Sequence, residues 1–171
     1  EFVVGLSFFS WQESADLHSR RSNLNYEIRS NFLAIGPYLL WNIRWTPEFA
    51  FGVEMAPFMA LHDVTQTQTG VDYRDKGRTI FGVKTALSAH WYPSSERASI
   101  GFSIPLVMRF SSLPVPAAPA GNYSISEGSM FWPAFVLESR FQVAKILVSP
   151  KVGIHRTMDS LFWGIDLGYL F

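Results

Sequence analysis

The sequence lacks several features that would point to common classes of protein. It contains no cysteine, which excludes disulfide bridges and thiolate metal sites. Charged residues make up only 16% of the chain, whereas a soluble domain usually has about a quarter. The formal net charge is zero, so the basic surface needed for nucleic acid is missing and nucleic acid is not an expected partner. No run of about 18 apolar residues is present, which excludes a transmembrane helix and leaves a closed β-barrel as the way to cross a bilayer.

What the chain does have is many apolar residues that alternate with small or polar ones. Hydrophobic residues make up 48% of the sequence and aromatic residues 16%. Between Leu161 and Phe171 every odd position is large and apolar, whereas the even positions include Gly164, Asp166 and Gly168. A period of two over this length predicts a β-strand. The pattern recurs, and we predict eight strands in one domain over 1–171, at 2–12, 31–45, 48–62, 79–92, 97–111, 130–144, 146–156 and 161–171.

The predicted connections alternate in length along the chain. Short turns are expected at 46–47, 93–96 and 144–145, and longer loops at 13–30, 62–78 and 111–128, with a modest one at 156–160. This alternation is typical of outer-membrane barrels, which have short periplasmic turns and longer external loops. We therefore predict an all-β fold, an eight-stranded antiparallel up-and-down transmembrane β-barrel. The chain is interpreted as a mature form whose export signal has been removed.

The apolar faces could point inward, as in a soluble lipocalin-like barrel, or outward towards lipid. The interior of an eight-stranded barrel is just wide enough to be filled by side chains, and roughly forty large apolar residues would overfill it. The opposite faces carry glycine, serine, alanine and a few charges, which suit a narrow interior. The size of the lumen therefore favours the membrane barrel. Trp41, Trp45 and Trp91 lie near the short turns, where a membrane barrel has a girdle of aromatic residues.

The charges that fall on the predicted inner face form the first candidate site. Buried charges are costly unless they are paired and hydrogen-bonded, so we expect these residues to form a salt-bridged plug. A narrow ion or proton path, or a bound anion, remains an open alternative. The predicted lumen charge network is Arg44, Glu54, Lys84, Arg109, Glu138, Arg140, Lys151 and Asp166.

Prolines within predicted strands are a second unusual feature, because proline cannot donate to a β-ladder. Pro37, Pro57, Pro133 and Pro150 fall on the predicted lipid face, and Pro105 falls inward. They are interpreted either as local bulges or as a flat apolar surface. Such a surface would pack against another copy, giving a homo-oligomer, or against an acyl chain.

The end of the chain resembles the C-terminal assembly signal of outer-membrane barrels. The matching residues are Trp163, Ile165, Leu167, Tyr169 and Phe171, whereas the glycine usual five residues before the final aromatic is Asp166 here. In architecture the chain resembles the small eight-stranded barrels of the OmpA transmembrane-domain and OmpX type. The resemblance implies insertion by the barrel-assembly machinery into a bacterial outer membrane.

Functional motifs are sparse. His18, His62, His90 and His155 are present, and His62 and His155 are expected near the outer rim, with His90 in the plug. A lipid A deacylase or palmitoyltransferase would use histidine with serine and an acid at such a rim, but no motif links them. No metal-ligand spacing is present, and no cofactor is expected. We predict a non-enzymatic structural or interaction barrel that contacts lipids and lipopolysaccharide. The first alternative is a lipid-modifying enzyme, and the second is a narrow channel.

Overall fold

The computed structural model describes residues 1–19, 24–68, 71–93, 97–110, 113–114, 124–125, 133–155 and 161–171. Eight antiparallel strands close into one barrel, which confirms the predicted fold class. No helix that could span a membrane occurs among the described residues. The barrel strands are β1 Phe2–Ser19, β2 Leu24–Arg44, β3 Phe49–Gln68, β4 Val71–Trp91, β5 Ala98–Arg109, β8 Pro133–Val143, β9 Ile146–His155 and β10 Leu161–Leu170. Two short strands outside the barrel are β6 Leu113–Pro114 and β7 Ser124–Ile125.

Neighbouring strands of the barrel follow one another along the chain. The order around the barrel is β1-β10-β9-β8-β5-β4-β3-β2, and β1 pairs with β10 to close it. Among the described residues, the short strands β6 and β7 pair only with each other. The chain ends and the turns at 45–48 and 144–145 lie at one end of the barrel, here called the turn end. The opposite end, where β1 meets β2 and β3 meets β4, is called the hairpin end.

Two of the predicted loops are wrong. The segments 13–30 and 62–78 are mostly strand, because β1 pairs with β2 from Phe2 to Ser19 and β3 pairs with β4 as far as Gln68 and Val71. Most residues there are polar, but Leu24, Tyr26 and Ile28 still alternate with polar residues, which is a sign that the strand continues, and the backbone pairing runs through both segments. Most of the predicted 111–128 loop lies outside the described residues.

The outer face of the barrel is apolar, as the alternation predicts. Leu39, Met55, Phe102 and Trp163 are between 43% and 54% exposed, whereas the residues between outward positions are buried. Trp41, Trp45, Phe49 and Trp91 are exposed close to the turn end, where the girdle was predicted.

The interior combines charged and aromatic residues, so the predicted salt-bridged plug fills only part of the lumen. Five inward aromatic residues pack into a layer, called here the aromatic layer: Phe9, Trp11, Phe32, Phe58 and Phe162. Small residues on neighbouring strands make room for these rings. A Cβ added at Gly82 would lie 2.5 Å from the Phe58 ring, so glycine is needed there.

Candidate functional site

A cluster of charged side chains fills the lumen between the aromatic layer and the turn end. The strands position it by alternation, since Glu54 lies four residues from Phe58 on β3 and Asp166 lies four residues from Phe162 on β10. Every member is at most 6% exposed. The members of this lumen cluster are Glu54, Lys84, Glu138, Arg140, Lys151 and Asp166.

Lys151 lies at the centre of the lumen cluster. Its Nζ is 2.5 Å from Glu54 Oε2, 2.5 Å from Asp166 Oδ2 and 3.4 Å from Glu138 Oε2. Lys84 reaches two of these carboxylates, with its Nζ 2.7 Å from Glu54 Oε1 and 3.6 Å from Asp166 Oδ1. Two lysines and three carboxylates therefore share one buried site.

Arg140 extends the lumen cluster towards the turn end. It donates from Nε to Glu138 Oε1 at 2.8 Å, from Nη1 to Asn42 Oδ1 at 3.2 Å and from Nη2 to Ser88 Oγ at 2.9 Å. The imidazole of His90 lies between Ser99 Oγ, 3.1 Å from Nδ1, and Glu138 Oε1, 3.5 Å from Nε2.

The charges of the lumen cluster balance. The cations Lys84, Arg140 and Lys151 face the anions Glu54, Glu138 and Asp166. Opposite charges held this close offset much of the cost of removing them from water. The geometry therefore supports a closed plug.

The sequence identified the charged members of the cluster but not their polar partners. Ser7 accepts from Lys84 Nζ at 2.9 Å, and Asn42, Ser88 and Ser99 are further partners. Their position on the inward face of the predicted strands was the one feature of the sequence that could have identified them. The other two predicted network residues lie elsewhere along the lumen: the Arg44 guanidinium is 4.6 Å from the Tyr92 ring centre, and Arg109 pairs with Gly82 at the level of the aromatic layer.

A serine and a histidine meet at the hairpin side of the aromatic layer. Ser30 Oγ lies 2.8 Å from His62 Nε2, and the imidazole packs edge-on against Phe32 with ring centres 6.4 Å apart. The register of β3 against β4 shifts directly after His62, where Asp63 accepts a hydrogen bond from Gly77 N at 2.7 Å. The side chains of His18 and His155 lie outside the described set.

Pro37 and Pro57 face each other directly across strands β2 and β3. The ladder runs to Ile35–Met59 and resumes at Leu39–Met55 in the same register, so the gap contains no bulge. Trp45 N donates to Phe49 O, and hydrogen-bonded pairs recur at every second position of an antiparallel ladder. The pair Pro37–Pro57 therefore stands where two backbone hydrogen bonds would otherwise form, and both donors are missing.

The other strand prolines also lie where pairing is interrupted. Pro150 falls in a break of the β8–β9 ladder between Lys151 and Val148, again without a register change. Pro105 is buried, and β5–β8 pairing ends two residues before it, at Ser103. Of the five, only Pro133 adjoins a register shift, between Pro133 and Phe135. The bulge interpretation is therefore wrong for Pro37, Pro57 and Pro150, which lie in gaps of unchanged register.

The predicted assembly signal lies on the outer face of β10 and the residue after it. Trp163, Leu167, Tyr169 and Phe171 are exposed and Ile165 is half-buried. Phe171 N donates to Phe2 O at 3.0 Å, so the last residue helps to join the two strands that close the barrel.

Comparisons with known proteins add little to this description. No family model matches the chain, and no curated protein matches it. Among solved structures, the chain is similar to the translocator domain of autotransporter NalP from Neisseria meningitidis, with 6% identity and a TM-score of 0.38. That match covers 99% of this chain and 88% of the other. A likeness this distant carries no functional argument.

Proposed function

We propose that the chain is a bacterial outer-membrane barrel that is closed to solutes and acts as a non-enzymatic structural or interaction protein. The observation that carries the proposal is the outward apolar face, which would be unstable in water. Large exposed residues such as Trp163 and Phe102 surround the barrel, and a hydrocarbon environment removes the cost of exposing them. The expected partners are membrane lipids, including lipopolysaccharide, and the barrel-assembly machinery.

The packed lumen supports the closed state. The lumen cluster carries balanced charge. The aromatic layer lies on its hairpin side, where the ring centres of Phe9 and Phe58 are 5.1 Å apart. An eight-stranded barrel leaves no room for water beyond side chains of this size. A channel would need the aromatic layer to open.

The hairpin end supports an interaction role. β1 pairs with β10 only as far as Gln12, yet it pairs with β2 to Ser19. Likewise β4 pairs with β5 only from Gly82 onwards, yet it pairs with β3 from Val71. Within the described part of the chain, strands β1–β4 thus form a sheet that extends past β5 and β8–β10. Such a sheet would project from the membrane and present a surface to other proteins.

Three measurements test this proposal. The refolded chain in phospholipid vesicles should show the heat-dependent shift in gel migration of a membrane barrel, and planar bilayers containing it should show no steady conductance. External protease should cut the hairpin end in whole cells. A chain that stays folded and monodisperse in detergent-free buffer would contradict the proposal.

The Ser30–His62 contact favours a lipid-modifying enzyme as the second candidate. A hydroxyl hydrogen-bonded to an imidazole is the pair that an acyl-transfer nucleophile needs, and this pair lies near the border of the apolar belt. Incubation of the wild type and of Ser30→Ala with lipopolysaccharide or phospholipid, followed by mass analysis, separates the candidates. Acyl loss or transfer that disappears in Ser30→Ala would replace the first proposal.

A further inference from the structure

The outer face of the barrel contains a groove close to the turn end. Ala89 on β4 points outward between Phe51 on β3 and Phe102 on β5, which are its partners in the two ladders. It is half-buried and has no side chain beyond Cβ, so it leaves a hollow among large neighbours. The hollow, called here the outer groove, has a volume of about 320 Å³, which is at the lower end of the range for sites that bind small molecules.

The outer groove is closed towards the lumen. Its floor is Ala89 with the adjacent backbone of His90 and Gly101, and the β3–β4, β4–β5 and β5–β8 ladders run without interruption through these positions. A Cβ added at Gly101 would lie 2.0 Å from the Ala89 carbonyl oxygen, which shows how closely the two strands approach. The backbone groups of the floor therefore bond to one another and need no partner from a ligand.

The walls of the outer groove favour hydrocarbon as its occupant. They are the side chains of Phe49, Trp91, Ile100, Phe102 and Leu137, of which only Trp91 carries a polar atom, its indole N–H. A charged group placed between them would lose its hydration without gaining a partner. A flexible acyl chain has no hydration to lose and gains dispersion contacts with the rings.

Charges of both signs lie beyond the outer groove, on its turn-end side. Glu48 directly precedes Phe49, and Arg97 lies three residues before Ile100; both charged residues are exposed. Three residues of a strand span about 10 Å, which at a tilt near 45° is about 7 Å in depth. The headgroup layer of each leaflet is about 5–8 Å thick. When the groove lies in hydrocarbon, Arg97 and Glu48 therefore lie at the level of the lipid headgroups.

This order of groups matches a phospholipid. A guanidinium binds phosphate strongly, and a carboxylate pairs with an ammonium. We infer that the outer groove binds one acyl chain of a zwitterionic phospholipid, whose phosphate contacts Arg97 and whose ammonium contacts Glu48. The inference rests on the proposed membrane location of the barrel, and it deepens the proposed function by naming a class of lipid and its site.

Native mass spectrometry of the folded chain in a non-ionic detergent tests the inference. Phosphatidylethanolamine is compared with the diacylglycerol that has the same acyl chains but no headgroup. We expect one phosphatidylethanolamine per chain, bound about tenfold more tightly than the diacylglycerol, because the charged contacts are lost with the headgroup. A diazirine near the ester end of the acyl chain should form its adducts on the walls of the outer groove.

Three variants test the site. Ala89→Phe fills the groove and should weaken binding by about tenfold or more. The matched control is Val4→Phe, on the outer face of β1, where Val4 is 44% exposed. Each position lies two residues from an aromatic residue near the turn end, Trp91 or Phe2, and the control should bind like the wild type. Arg97→Gln should lower the affinity for phosphatidylethanolamine by about tenfold and leave that for the diacylglycerol unchanged.

Two outcomes would overturn the inference. One is the binding of several lipids per chain without a headgroup preference, which is ordinary adsorption on the apolar face. The other is a dimer of the chain that is lost in Ala89→Phe, which would show that a second copy fills the outer groove. The wild-type comparison of the two lipids decides the first point even if a variant does not fold. A chain that inserts into vesicles yet binds no lipid selectively would refute this inference and leave the proposed function intact.

Discussion

Lys151 and Glu54 form an ion pair across the full width of the lumen. Their strands, β9 and β3, are four apart in the closed ring of eight, yet Lys151 Nζ lies 2.5 Å from Glu54 Oε2. Lys84 and Asp166, on β4 and β10, are related in the same way at 3.6 Å. These contacts join opposite walls, so the lumen cluster stabilises the closed barrel as a whole.

Removing the central cation should be severely destabilising. In Lys151→Met the carboxylates of Glu54, Glu138 and Asp166 would keep Lys84 and Arg140 but lose their shared partner. Leaving a buried charge uncompensated typically costs about 3–5 kcal/mol. Urea unfolding in phospholipid vesicles, followed by tryptophan fluorescence, measures the change in the free energy of unfolding.

The control for that experiment is Lys145→Met, at the exposed turn, where the ammonium lies 5.5 Å from the Tyr169 ring centre. An exposed cation–π contact is worth about 0.5–1 kcal/mol, so the control should lose no more than that. Equal losses in the two variants would mean that the lumen cluster does not stabilise the closed barrel.

The aromatic layer should be the seal of the lumen. The double variant Phe9→Ala/Phe58→Ala removes two rings that are in edge-to-face contact, with centres 5.1 Å apart. It should lower stability by about 3–5 kcal/mol or more, as large core truncations do, and give measurable conductance in planar bilayers. Phe102→Ala, an outward substitution at a residue that is 54% exposed, should remain non-conducting. A double variant that folds and stays non-conducting would place the seal elsewhere.

A charge on the outer face should be costly in proportion to its depth. Leu39→Arg places a guanidinium near the middle of the apolar belt, where such substitutions cost about 2–4 kcal/mol. Glu48→Arg, at the exposed turn, should cost no more than about 1 kcal/mol. The same unfolding measurement in vesicles compares the two, and equal costs would contradict the depth dependence.

The sequence predicted the outer face well because that face carries a large apolar residue at nearly every second position of its strands. Trp163 and Leu39 could be assigned to that face from period two alone. The sequence could not predict which lumen charges pair, because Lys151 and Glu54 are separated by 97 residues along the chain and meet only through the stagger of the closed barrel. The aromatic layer was missed because Phe32 and Phe58 break the alternation of large with small residues.

Strand length and the proline gap illustrate two further limits. β1 continues to Ser19 through polar residues whose pairing with β2 is a backbone property, so composition gives no sign of it. Pro37 and Pro57 were predicted to lie on the lipid face, and both are exposed on the outer face. The two prolines occupy positions where the ladder would otherwise form a hydrogen-bonded pair. This placement depends on the register of β2 against β3, which the turn at 45–48 sets.

The most direct test of the membrane orientation compares two tryptophans on opposite faces of the wall. Trp163 is 43% exposed on the outer face, and Trp11 is 1% exposed in the lumen. Two variants each keep Trp163 or Trp11 as the single tryptophan of the chain, with the other five replaced by phenylalanine. Phospholipids brominated along their acyl chains should strongly quench the fluorescence of Trp163 and leave that of Trp11 nearly unchanged. Strong quenching of Trp11 with little quenching of Trp163 would contradict the account.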